Sequence, residues 1–121
     1  MKILLVDDSR TMRTIQKLAL AKIGLEQVTE AENGKLALAM LAAEKFDLVL
    51  MDWNMPEMSG IEALKKIKAD PMLKSIPVIM VTSESEKSRI VEALQAGATN
   101  YLVKPFQTEA LCEKLKAFLK K

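Results

Sequence analysis

The chain contains no histidine. That absence excludes serine–histidine triads, imidazole metal ligands and any role as a phosphohistidine donor. A single cysteine, Cys112, cannot close an internal disulfide. The expected setting is therefore a reducing cytoplasm, with Cys112 read as a small apolar side chain on or near the last helix. Aromatic residues make up only 4% of the chain, and the formal net charge is just +2. With basic residues dispersed and no interleaved aromatics, nucleic acid is not an expected partner. No apolar stretch approaches the ~20 residues of a membrane helix, so no membrane partner is expected either. Met1-Lys2-Ile3 already opens a strand, which leaves no room for a signal peptide.

What is present suits one globular domain spanning residues 1–121, half of it hydrophobic and 28% charged. Five short runs alternate with five helix-patterned segments. The runs are Ile3–Val6, a weak one around Gln27–Ala31, Leu48–Met51, Val78–Val81 and Tyr101–Val103. Three are continuously apolar, as expected for parallel strands covered on both faces. The first helix is predicted from an N-cap at Ser9 to a stop at Gly24, with Met12, Ile15, Leu18 and Ala19 inward. Asn33-Gly34 leads into the second helix, and the third spans Ile61–Lys68 until Asp70-Pro71 breaks it. The fourth runs from about Ser85 to Ala96, and the fifth from Thr108 to Lys120 with Leu111, Leu115, Phe118 and Leu119 inward. The expected fold class is α/β: a (βα)5, doubly wound, five-stranded parallel sheet. Ligands of such sheets sit beyond the carboxyl ends of the strands, at the topological switch point.

The chemistry-bearing residues fall at those ends. Asp7 and Asp8 follow the first run and Asp52 follows the third. Thr82 follows the fourth, and Lys104, with Pro105 after it, follows the fifth. Carboxylates placed where buried strands emerge resist desolvation unless a positive charge compensates them. A Mg²⁺ ion is the fitting counter-charge, since it is hard, prefers oxygen and keeps several waters when few carboxylates bind it. Asp7-Asp8 by themselves would read as an acidic helix-capping turn. Together with Asp52, Thr82 and Lys104 they read as a site for a divalent metal and a phosphoryl group. Asp52, standing alone on the middle strand, is the candidate nucleophile for an acyl phosphate. Lys104 offers a point positive charge and Thr82 a hydroxyl donor to phosphoryl oxygens. Lys104-Pro105 is the candidate cis peptide.

Leu5-Val6-Asp7-Asp8, Met51-Asp52-Trp53-Asn54-Met55-Pro56, Val81-Thr82-Ser83 and Val103-Lys104-Pro105-Phe106 together resemble the receiver domain of two-component response regulators. The resemblance covers the whole chain and implies the flavodoxin-like strand order 2-1-3-4-5. Pro77–Thr82, Gln95-Ala96-Gly97-Ala98, Tyr101 and Glu113-Lys114-Leu115 resemble the single-domain chemotaxis branch. That resemblance implies a receiver with no effector domain, phosphorylated on Asp52 by a histidine kinase. It implies Mg²⁺ held by the side chains of Asp8 and Asp52 and the carbonyl of Asn54, with Asp7 acting through water. It also implies a movement of Thr82 and Tyr101 on phosphorylation. The implied output face of fourth helix, fifth strand and fifth helix presents Lys87, Ile90, Tyr101 and Lys114 to a flagellar motor switch protein. Asn54 and Glu84 occupy the positions where the family tunes phosphoryl lifetime. Both are polar here, which leaves an approach for water and for a phosphatase, so a short-lived phosphoryl group and a monomer are expected.

Three other readings compete. A phosphorelay shuttle would use the same site but pass its phosphoryl group to a histidine phosphotransfer domain. A Mg²⁺-dependent aspartyl-nucleophile phosphohydrolase needs a second acid two residues after the nucleophile, and Asn54 stands there. The chain is therefore expected to catalyse only its own phosphorylation and dephosphorylation. A transcription factor is the least expected reading, because nothing follows Lys121 to bind DNA.

Overall fold

The computed structural model describes residues 2–53, 55, 58–82, 87–103 and 108–119, with the backbone only at 82, 87–89, 108, 112 and 116–119. Strands β1 (Ile3–Val6), β2 (Val28–Ala31), β3 (Leu48–Asp52), β4 (Val78–Thr82) and β5 (Asn100–Val103) alternate with helices. The helices are α1 (Arg10–Lys22), α2 (Gly34–Ala43), α3 (Gly60–Ala69), α4 (Lys87–Gln95) and α5 (Thr108–Leu119). The strands form one sheet in the order β2-β1-β3-β4-β5. All pairings are parallel.

Alternation along the strands sends side chains to two separate cores. Leu4, Val6, Val49, Met51, Val78 and Met80 meet Ala37 and Leu41 of α2, Leu64 and Ile67 of α3 and Ala93 of α4. Ile3, Leu5, Leu48, Leu50, Ile79 and Val81 meet Ala19 and Leu20 of α1 and Leu111 and Leu115 of α5. Both faces are covered, which is why β1 and β3 are buried throughout.

Three helices start where side-chain acceptors satisfy their first N–H groups. Ser9 accepts from the Met12 N–H at 3.2 Å, and Asn33 accepts from the Leu36 N–H at 2.8 Å. Ser59 and Glu62 form a reciprocal capping box at α3. Beyond α1, Gly24 takes φ +84°, a left-handed conformation suited to glycine.

One expectation for α1 is overturned. Ile15 and Leu18 are exposed, at 48% and 62%. Ala19 is buried as expected and Met12 half-buried, but the rest of the inward stripe is Gln16 and Leu20, with half-buried Ile23, in place of Ile15 and Leu18. The spacing of this stripe is regular, but its second member is polar, so hydrophobicity by itself rotates the helix the wrong way. The expected Ser85 start of α4, the Phe118–Leu119 end of the α5 stripe, the packing of Cys112 and the Lys104-Pro105 geometry lie outside the described residues.

Candidate functional site

The sheet winds in opposite directions from β1, to β2 on one side and to β3 on the other. Val6 is in register with Met51, so the residues that follow, Asp7 and Asp52, emerge side by side at the carboxyl edge. Asp8 joins them. The three residues each offer a carboxylate oxygen, and these oxygens lie within 4.8 Å of one another. Asp7 is fully buried and Asp52 nearly so, at 6% exposure, while Asp8 is exposed. Three carboxylates at this spacing repel one another strongly in a partly desolvated edge. An all-oxygen donor set with one solvent-facing member fits a hard cation that retains water, as magnesium does.

Asp7 is held from several directions. Its Oδ1 accepts the Ser9 backbone N–H at 2.8 Å, and its Oδ2 accepts from the Gln16 side-chain amide at 3.1 Å. Its own N–H donates to the Ala31 carbonyl at 3.1 Å. The Arg13 guanidinium donates to the Asp7 carbonyl oxygen at 2.6 Å and to Glu30 at 2.9 Å. Lys17 also reaches Glu30, at 3.1 Å. The hydrogen bond from Lys17, followed by that from Arg13, holds the Glu30 carboxyl below its ordinary value despite an opposing contribution from burial. Arg13 thus ties α1 both to the end of β1 and to β2.

Asp52 is fixed by the turn that follows it. The Trp53 N–H donates to the Val81 carbonyl at 3.2 Å, and the Gly60 N–H donates to the Trp53 carbonyl at 2.8 Å. The start of α3 therefore packs directly beneath Asp52. A Cβ at Gly60 would stand 1.9 Å from the Asp52 carbonyl oxygen. Only glycine permits that approach.

Of the residues expected at the site, Asp7, Asp8 and Asp52 come together. Thr82 ends β4 in register with Val103 of β5, which puts its backbone at the same edge of the sheet. The Thr82 hydroxyl and the whole of Asn54, Glu84 and Lys104 lie outside the described residues. On the expected output face, the Lys114 ammonium lies 4.6 Å from the centre of the half-buried Tyr101 ring. It also donates to Asn100 at 3.2 Å. Ile90 is half-buried on α4, and Lys87 opens that helix with its side chain outside the described residues. Gln16, Arg13 and Gly60 were not legible as site residues. A glutamine breaking an otherwise apolar stripe was the one available signal, and it pointed to Gln16.

The model of the response regulator receiver domain matches residues 3–116. Chemotaxis protein CheY-3 of Vibrio cholerae is 51% identical over 115 residues, covering 95% of this chain and 88% of that protein. Chemotaxis protein CheY1 of Helicobacter pylori is 50% identical over 120 residues, covering 98% and 97%. A solved structure of the chemotaxis protein CheY4 of Vibrio cholerae superposes with a TM-score of 0.88 at 37% identity, covering 98% of each chain. The signal receiver domain of a histidine kinase from Syntrophus aciditrophicus superposes with a TM-score of 0.87 at 32% identity, covering 99% and 92%.

Proposed function

This chain belongs to the response regulator receiver family, and on that premise we propose that it is a phosphorylation-activated switch of a chemotaxis two-component system. The observation that carries the reading is the meeting of Asp7, Asp8 and Asp52 oxygens within 4.8 Å at the switch point of the sheet. In this reading the Asp52 carboxylate attacks the phosphorus of a phosphohistidine on a partner kinase. A P–O bond forms, the P–N bond breaks, and the imidazole leaves with the electron pair. Asp8, Asp52 and the Asn54 carbonyl would hold Mg²⁺, with Asp7 acting through water, and the bound ion would supply positive charge against the carboxylates and phosphoryl oxygens. Lys104 and the Thr82 hydroxyl take the remaining phosphoryl oxygens. The chain acts on itself and turns over no separate substrate.

The output is carried by α4, β5 and α5. Relatives named as chemotaxis proteins support a chemotactic output, for which we take a flagellar motor switch protein as the target, and the Tyr101–Lys114 contact gives this face an aromatic ring with a cation over it. Phosphorylation that draws Thr82 toward Asp52 opens space beside β5 for Tyr101 to move inward, which reshapes the surface around Ile90, Lys87 and Lys114. Polar Asn54 and Glu84 leave water and a phosphatase access, so the modified state is short-lived. The reading further takes the protein as a monomer acting in the cytoplasm. Among the described residues, no helix is long and apolar enough to cross a membrane.

The test is partner choice. A flagellar motor switch peptide should bind the phosphorylated protein about tenfold more tightly than the unmodified one, a coupling of about 1.4 kcal/mol. Equal affinity in both states, together with rapid phosphoryl transfer to a histidine phosphotransfer domain, would replace this output with a relay.

A further inference from the structure

Gln16 occupies a position on α1 where packing calls for a hydrocarbon. It lies in the inward stripe with Ala19 and Leu20, and is 1% exposed. A buried side-chain amide is costly unless it is bonded, and the cost is not repaid by packing that leucine would supply equally well. Among the described residues no buried side-chain nitrogen or oxygen lacks a partner. The partner of the Gln16 amide is the Asp7 carboxylate, at 3.1 Å, nine residues away in the chain.

We propose that Gln16 is a positioning residue that fixes the Asp7 carboxylate in its binding orientation before a cation arrives. The inference rests on the magnesium reading of the acidic cluster and adds to it a residue outside the carboxylate set.

Two donors engage different oxygens of Asp7. The Ser9 N–H meets Oδ1 and the Gln16 amide meets Oδ2. Rotation of the carboxylate about its last torsion would break both bonds, so together they define its plane. The Ser9 donor is backbone and survives most substitutions. Gln16 is the part of the clamp that the sequence chooses. Arg13 adds to it by holding the Asp7 carbonyl oxygen at 2.6 Å, which fixes the backbone from which the side chain projects. A water-holding carboxylate oriented in advance spares the cost of ordering it at the moment of binding. Outer-shell groups, such as a carboxylate that holds an ion-bound water, typically contribute ten- to a hundredfold in affinity, and Gln16 acts through one of them.

The test is Mg²⁺ titration by calorimetry on wild type, Gln16→Met, Asp7→Asn and the double variant. Gln16→Met keeps length and burial and removes the donor, so the Mg²⁺ dissociation constant should rise about tenfold. In the Asp7→Asn background the same change should add less than about twofold, because the clamp no longer has its object. A glutamine that merely fills space would be replaced by methionine with the Mg²⁺ affinity left in place in both backgrounds. That result overturns the inference, as does tighter binding by Gln16→Met. Should Gln16→Met not fold, Gln16→Asn, whose shorter amide falls short of Asp7, is measured against the same outcomes. A wild-type protein that takes up no Mg²⁺ removes the site reading itself, and the role of Gln16 with it. Normal uptake in wild type with no shift in the variants removes the role of Gln16 and leaves the site.

Discussion

Asp52→Asn protein incubated with Mg²⁺ and a small acyl-phosphate donor gains no covalent phosphoryl group, while wild type gains one per chain. Mass spectrometry of the intact protein reads both results. The expectation follows from the chemistry of the side chain: an amide matches the shape of a carboxylate but lacks the negative oxygen that attacks phosphorus. The fold should survive the change. Asp52 is one of three carboxylates whose oxygens lie within 4.8 Å. Removing one charge from a mutually repelling trio lowers the electrostatic strain of the metal-free protein. The melting temperature without metal should therefore not fall, which separates loss of the nucleophile from loss of structure. Modification of the variant at the wild-type rate would assign the nucleophile to another residue.

Gly60→Ala should destabilise the protein by about 3 kcal/mol, the upper end of overpacking costs. The new methyl group would sit 1.9 Å from the Asp52 carbonyl oxygen and 3.0 Å from the Met80 terminal methyl. A flexible side chain could yield, but a strand carbonyl at the end of β3 cannot do so without moving Asp52. The same substitution should therefore weaken Mg²⁺ binding. Gly24→Ala is the control. It meets nothing within 4 Å and is strained only by its φ of +84°, at a cost of about 1 kcal/mol. Urea unfolding of the two variants side by side decides the matter. Equal losses would mean that the close approach of α3 to Asp52 is not what the glycine serves.

The sequence made β1, β3 and β4 plain because strands covered on both faces are apolar without interruption, and their ends could then be read for chemistry. Asp7, Asp8 and Asp52 were legible for that reason. β2 was weak because it is an edge strand, with Val28, Thr29 and Glu30 only half-buried. On α1, Met12 and Ala19 do face inward, but Ile15 and Leu18, assigned there by hydrophobicity alone, do not. Gln16 is inside because a buried carboxylate on another element needs a donor, and that carboxylate lies nine positions away in the chain. The Arg13 bridge from Asp7 to Glu30 likewise exists only once β2 lies beside β1. Gly60 read as the last loop residue before the third helix. Its contact with Asp52 depends on how closely that helix sits beneath the strand, which no local pattern encodes.

The central claim is that the crowded carboxylates at the edge of the sheet serve a divalent cation and, with it, an aspartyl phosphate. Trp53, which directly follows Asp52 in the chain and is buried at 6% exposure, is the reporter closest to that claim. Its fluorescence, followed through a Mg²⁺ titration and then on addition of an acyl-phosphate donor, should change saturably with the ion and change again with the donor, and chelation should reverse the first change. Fluorescence that stays flat through millimolar Mg²⁺ and the donor, in a protein that remains folded, would contradict the account.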